Sequence, residues 1–210
     1  MSKLFRMDSP LMRFLTKIAD LMVLNILFCV TSIPLITIGA SWTALYSVTL
    51  KMVRDEEGSV SRSYFQSFRQ NFRQATLLWL GVLVVLALLV LDIRVLNGMA
   101  EGTAPGLLRV GVEILALLGI MVLQYLFPSL ARFEASLADT LKNACMMALA
   151  HLPKTALMTA AAVGAVWITL INNTTIAVGL MVWPLIGFAL MAFGNSGILR
   201  KIFDNYVPKA

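Results

Sequence analysis

The fold of this chain is decided at residues 76–96, which read TLLWLGVLVVLALLVLDIRVL. At about 1.5 Å of rise per residue, a helix of this length crosses the roughly 30 Å hydrocarbon core of a bilayer. Its side chains are mostly Leu and Val, so such a helix is apolar on every face. The stretch therefore predicts a membrane span and not a helix of a soluble protein.

The composition of the whole chain supports the same conclusion. Of its 210 residues 59% are hydrophobic and 13% are charged, and the mean hydropathy is +0.84. Soluble domains carry about 25% charged residues, so this chain lacks the polar surface that water requires. The net charge of +6 does not indicate nucleic-acid binding, because the basic residues flank apolar runs as membrane topology demands.

Apolar runs elsewhere predict an all-α bundle of six membrane spans in a single domain, residues 1–210. The spans cover residues 15–32, 34–53, 76–96, 107–127, 155–171 and 175–193. Ser9 and Pro10 suit the cap and first turn of the first helix, and Pro184 is expected to kink the sixth. The run 34–53 is less apolar and barely long enough, so a re-entrant hairpin is the alternative there.

The distribution of basic residues predicts the orientation. Of the 17 Lys and Arg residues, all but Arg94 and Arg109 fall on one side of the six-span arrangement. Because Lys and Arg are retained on the cytoplasmic side, we expect both termini in the cytoplasm and the protein in a plasma membrane. The first apolar run has no A-x-A cleavage site and is expected to be a permanent anchor.

Residues 60–74 predict an amphipathic helix at the membrane surface. Aromatic and basic side chains recur there at helical spacing, namely Tyr64, Arg62, Phe65, Phe68, Arg69, Phe72 and Arg73. Rings in the lipid boundary and guanidinium groups on phosphates are typical of an interfacial helix, with the lipid bilayer as its partner. A helix that docks onto another protein is the alternative.

Ionisable residues inside a membrane are candidates for function because their desolvation is costly. Asp92 and Arg94 lie near the outer end of the third span, and Arg109 and Glu113 near the outer end of the fourth. They predict structural ion pairs, or alternatively a polar vestibule for a solute. Asn25 in the first span predicts a hydrogen bond between helices.

Catalytic chemistry finds little support in the sequence. His151 has no evident Ser or Cys partner, the two cysteines and one histidine do not make a zinc pattern, and no phosphate-binding glycine loop is present. We therefore expect no enzyme, no cofactor and no bound metal.

A second amphipathic segment covers about residues 131–152. An apolar stripe recurs every four residues at Phe133, Leu137, Leu141, Cys145 and Leu149. Arg132, Ser136, Asp139 and Asn143 fall largely away from it. The pattern predicts a helix at the cytoplasmic surface.

The same segment resembles the cytoplasmic loop of permease subunits of ABC importers. That loop begins Glu-Ala-Ala, continues with Asp-Gly and closes with Leu-Pro, and its helix docks into the ATPase. The corresponding residues are Glu134, Ala135, Ser136, Asp139, Leu152 and Pro153. Thr140 departs from the pattern, because it stands where the permeases have a glycine that permits a bend. The resemblance implies a docking site for an ABC-importer ATPase or permease subunit.

A second resemblance spans almost the whole chain, and its motifs lie in both halves. They are PLITIGAS at 34–41, ALY at 44–46, LKMVRDEEG at 50–58, SFRQNFRQA at 67–75, ARF at 131–133 and TLKNA at 140–144. They resemble the YesL family, which consists of small bacterial membrane proteins of unknown function. Members often accompany carbohydrate ABC importers.

This resemblance implies an accessory or permease-like component of carbohydrate import. A structural or regulatory membrane protein and an independent small-solute transporter are the alternatives, and the oligomeric state is open.

Overall fold

The computed structural model describes residues 10–56, 58–99 and 102–206, and these residues form eight α-helices and no strand. The helices are α1 (Pro10–Thr31), α2 (Ile38–Met52), α3 (Val60–Gly98), α4 (Thr103–Arg132), α5 (Leu137–Ala150), α6 (Leu152–Leu170), α7 (Asn173–Val182) and α8 (Phe188–Phe203). A 3₁₀ turn, Leu35–Thr37, precedes α2, and a π-helical turn, Trp183–Gly187, joins α7 to α8. The all-α prediction is confirmed.

Within the described part of the chain, five helices are long and apolar enough to cross a membrane. They are Leu11–Thr31, Val60–Gly98, Gly106–Arg132, Leu152–Leu170 and Asn173–Phe203. Large apolar side chains on them point outward: Trp167 is 71% exposed and Leu180 is 73% exposed. Such surfaces are costly in water and suit contact with lipid tails, so the apolar helices indicate a multi-pass membrane protein.

The second predicted span, residues 34–53, is not among these five helices. Its helix α2 has only 15 residues, or about 22 Å of rise, which is short of a roughly 30 Å hydrocarbon core. Eleven of the 15 are buried, and α2 packs against α1, α3, α4 and α8 at the centre of the bundle. Thr43 and Thr49 donate their hydroxyl protons to the carbonyls of Gly39 and Leu45, at 2.9 and 3.1 Å, so small polar residues fit this enclosed position.

Two predicted boundaries are also wrong. The amphipathic segment 60–74 and the span 76–96 are one continuous helix, α3, of 39 residues, because no glycine or proline interrupts the sequence between them. Pro128 does not end the fourth span, since α4 continues through it to Arg132. Leu126, Phe127 and Leu130 are buried around this proline, and their packing holds the last turn in place.

Charged residues join three parts of the chain at one end of the bundle, which we call the charged end (Lys17, Arg54, Asp55, Arg200 and Asp204). Lys17 lies 2.6 Å from Asp55, and Arg54 lies 2.5 Å from Asp204. The Lys17 ammonium lowers the pKa of the Asp55 carboxyl below its usual value, by hydrogen bonding and by charge. The contacts show that α2 returns the chain to the end where α1 begins and α8 finishes.

Candidate docking segment and polar sites

The linker between α4 and α5 is held at both of its sides. Phe133 is extended and its ring meets that of Phe203 at the end of α8, with centroids 5.3 Å apart. The Gln74 side chain donates to the carbonyl of Ala135 at 2.7 Å, which ties the linker to α3. The position of the segment is therefore fixed by contacts with two other helices.

Ser136 and Asp139 determine where α5 begins. The Ser136 hydroxyl accepts a hydrogen bond from the backbone N–H of Asp139 at 3.2 Å and donates to its carboxylate at 2.6 Å. A serine in this role satisfies one of the free N–H groups of a helix start. Glu134 and Ala135 consequently lie in the linker, outside the helix, and Leu152 and Pro153 form the first turn of α6.

Thr140, which replaces the glycine of the importer pattern, lies inside the first turns of α5. It is buried, and its hydroxyl donates to the carbonyl of Ser136 at 2.8 Å. The chain changes direction at 133–136 instead of at 139–140, so no glycine is required at position 140.

The apolar stripe of the sequence is not the buried face of α5. The face buried against the protein carries Thr140, Ala144, Met147 and Ala148. The leucines of the stripe face outward, with Leu141 46% and Leu149 59% exposed, and Glu134 and Asp139 are also exposed. The small side chains allow close packing inside, and the larger apolar ones remain free for lipid or a partner.

The residues of the predicted surface helix divide between two faces of α3. Phe65, Phe72, Arg62, Arg69 and Arg73 are exposed. Phe68 turns inward and packs against the core, as does Tyr64, whose hydroxyl lies 2.6 Å from that of Thr31. Two of the four predicted interfacial rings, Tyr64 and Phe68, are therefore packing residues.

The four ionisable residues at the outer ends of the third and fourth spans do not form ion pairs with one another in the described structure. Asp92, Arg94, Arg109 and Glu113 are all exposed. Arg109 donates to the side-chain oxygen of Asn97 at 2.7 Å, across the α3–α4 hairpin. The expected pairing of Arg109 with Glu113 or Asp92 is wrong, because the guanidinium reaches the end of the neighbouring helix instead.

Asn25 makes the hydrogen bond between helices that the sequence predicts. It is fully buried, and its amide nitrogen donates to the carbonyls of Trp183 and Pro184 at 2.9 and 2.6 Å. Its oxygen accepts from the N–H of Ala189 at 2.9 Å. The π-helical turn at Pro184 disturbs the helical ladder, and Asn25 bonds backbone groups at both sides of this turn.

Three further polar contacts inside the bundle were not predicted from the sequence. Asn195 of α8 donates to Gln124 of α4 at 3.2 Å and to the Tyr46 hydroxyl of α2 at 3.4 Å. Thr49 and Ser196 lie 2.8 Å apart between α2 and α8. The sequence signal for the Asn195 contacts was the presence of amide side chains inside apolar runs. Membrane helices pack with such amides against one another.

The fold and the exposed apolar surface together indicate a multi-pass helical membrane protein. A family model described as "Protein of unknown function, DUF624" matches residues 21–93, from within α1 to near the end of α3. The uncharacterized protein YesL of Bacillus subtilis (strain 168) is 26% identical over 159 residues, which are 75% of this chain and 74% of that protein. These matches support a YesL-family membrane protein of unknown function, as the sequence motifs indicated. No solved structure matches the chain.

Proposed function

We propose that the protein is an accessory or permease-like component of a carbohydrate ABC importer and has no catalytic activity of its own. Residues 133–153 would contact the ATPase or a permease subunit. The observation that carries the proposal is the exposed surface of this segment, which includes Leu137, Leu141 and Leu149 together with the carboxylates of Glu134 and Asp139. An apolar patch with charged residues at its rim is the usual composition of a protein interface.

The position of the segment supports the proposal. Phe133 contacts the end of α8, and His151 lies 3.2 Å from the hydroxyl of Tyr206, so the segment adjoins the charged end of the bundle. Retention of basic residues on the inner side of membranes supports a cytoplasmic position for that end, for both termini and for α5. An ATPase of an importer acts from the same side.

Co-purification from mild detergent with the ATPase of a carbohydrate ABC importer from the same organism tests the docking. We expect wild-type protein to retain the ATPase at low salt, and Glu134→Arg combined with Leu141→Arg to lose it. Glu56→Arg is the matched control, because Glu56 is an exposed carboxylate in the α2–α3 loop. Failure of the wild type to retain either an ATPase or a permease subunit would refute the proposal.

The orientation has a separate test, and so does the role of α2. We propose that α1 and α2 cross as a hairpin with Ile33, which is 76% exposed, at its outer tip, as Asn97 is for α3 and α4. This arrangement keeps six crossings, with α2 as a short inner one. Single cysteines at both positions, in a variant lacking Cys29 and Cys145, should react with a membrane-impermeant maleimide added to intact cells. A labelled Asn97 site with an unlabelled Ile33 site would mean that α1 and α2 re-enter instead of crossing.

A further inference from the structure

A cavity of about 340 Å³ lies within the bundle, lined by residues of α1, α2, α4, α6 and α8 and of the π-helical turn. A broader groove of about 680 Å³ lies between α6 and the helices α7 and α8. Small side chains of α6 leave both spaces open: Ala162 lines the cavity, and Ala161 and Ala165 line the groove. A Cβ built on Gly164 would meet no atom within 4 Å.

The cavity wall is aromatic and carries no ionisable acid or base apart from a tyrosine, among the residues that the structure describes. Its rings belong to Phe28, Trp42, Tyr46, Trp183 and Phe188. An ion placed there would lose its hydration without gaining an opposite charge, at a cost of many kcal/mol. The chemistry of the wall therefore selects an uncharged occupant with an apolar body.

The polar part of the wall is incompletely hydrogen-bonded. Asn195 is only 7% exposed, and its nitrogen donates to Tyr46 and Gln124. Within the described residues, the Asn195 oxygen and the Gln124 nitrogen have no partner, and both residues line the cavity. The oxygen and nitrogen of the two side-chain amides can be interchanged in their assignment. With both interchanged, one acceptor and one donor still have no partner.

We propose that this cavity binds a small uncharged ring compound through one hydroxyl or carboxamide group. Such a group accepts from one amide and donates to the other, while its ring packs between the aromatic side chains. The volume lies in the range of roughly 300–1,000 Å³ that is usual for small-molecule pockets. A lipid tail would fill the apolar space but leave the Asn195 oxygen and the Gln124 nitrogen without a partner, which is unfavourable. The site is independent of the docking proposed for residues 133–153.

Two probes of nearly equal shape test the site: 4-bromophenol, and 4-bromotoluene, which has a methyl group in place of the hydroxyl. Bromine quenches tryptophan fluorescence on contact, and Trp42 and Trp183 line the cavity. The measurement uses the Trp167→Phe protein in phosphatidylcholine nanodiscs, which removes the most exposed indole. We expect the quenching by 4-bromophenol to saturate with concentration. The quenching by 4-bromotoluene should rise only linearly, because this probe reaches the tryptophans by partitioning into the bilayer.

Removing the polar groups should weaken the phenol specifically. Asn195→Leu and Gln124→Leu should each raise its apparent dissociation constant by about tenfold, as expected for one lost buried hydrogen bond. Ala162→Phe fills the cavity without touching the amides and should abolish saturation. Ala160→Phe is the matched control, because this exposed residue of the same helix lines neither space and should leave quenching unchanged.

Three results would overturn the proposal, and none depends on the amide variants folding. The first is saturable quenching by 4-bromotoluene as strong as that by 4-bromophenol, which would mean an apolar void that accepts lipid tails. The second is linear quenching by both probes. The third is saturable quenching that survives Ala162→Phe.

Discussion

Replacing Asn25 with Leu keeps the size of the side chain but removes three hydrogen bonds from the centre of the bundle. The bonds join its amide to the carbonyls of Trp183 and Pro184 and to the N–H of Ala189. Hydrogen bonds between membrane helices contribute about 0.6 kcal/mol each on average and at most about 1.7. Three of them give an expected loss of about 2–5 kcal/mol in the free energy of unfolding.

Reversible unfolding by SDS in mixed micelles, followed by far-UV circular dichroism, measures this loss. Asn205→Leu is the matched control, because Asn205 is exposed in the turn after α8 and should change stability by no more than about 0.5 kcal/mol. A loss for Asn25→Leu no larger than for the control would refute the reasoning, since it would mean that Asn25 is not needed to satisfy these backbone groups.

A double-mutant cycle with Pro184→Ala tests the cause of the effect. Alanine restores an N–H at position 184 and favours a regular helical ladder there. Part of the backbone that Asn25 serves would then bond within its own helix. We expect Asn25→Leu to cost at least about 1 kcal/mol less in the Pro184→Ala background, whereas strictly additive effects would contradict this role for the π-helical turn.

Two further changes have defined outcomes. Because Lys17 lowers the pKa of Asp55, the ion pair stabilises the protein at pH values above the ordinary pKa range of a carboxyl. This small contribution is lost as the pH falls through the lowered pKa. Asp55→Asn removes the charge but keeps a residue that tolerates the positive φ of 56° at this position. The loss of stability that this variant shows in the SDS assay should be present at neutral pH and should vanish in acid. A loss that does not depend on pH would count against the ion pair. Gly39→Ala should cost about 1–3 kcal/mol, because the new Cβ would lie 2.5 Å from the carbonyl oxygen of Ala75. Gly164→Ala, with open space around it, should be nearly neutral, and equal effects of the two alanines would contradict the close approach of α2 and α3.

Local rules of sequence predicted several features correctly. The irregular helix at Pro184 and the bond made by Asn25 each depend on one residue whose chemistry leaves few alternatives. The predicted cap at Ser9 lies outside the described residues. The five long apolar helices follow from length and composition alone. These are properties that a single stretch of chain carries by itself.

Other features depend on distant parts of the chain and could not be predicted in this way. The run 34–53 is apolar whether it faces lipid or other helices, so its sequence does not reveal that α2 is enclosed. Pro128 ends helices in many proteins, but here buried neighbours hold the helix beyond it. The contact of Asn195 with Gln124 joins residues 71 positions apart, which a pattern of local periodicity does not report.

The outward leucines of α5 show the same limitation. A stripe at four-residue spacing predicts the apolar face correctly but not what that face contacts. The protein packs α5 through Ala144, Met147 and Ala148, so the side chains that allow the closest approach form the inner face. The stripe itself remains available to lipid or to another protein.

The length of α3 has a mechanical consequence. Its 39 residues make a helix of about 58 Å, nearly twice the thickness of the hydrocarbon core. Its first half is held by the contacts of Tyr64 with Thr31, of Gln74 with Ala135 and of Trp79 with Leu35. Beyond Trp79 the helix continues as one arm of about 28 Å toward the Asn97 turn. A tilt of only about 10° about Trp79 would move that end by roughly 5 Å, while the arginines of the anchored half would keep their positions.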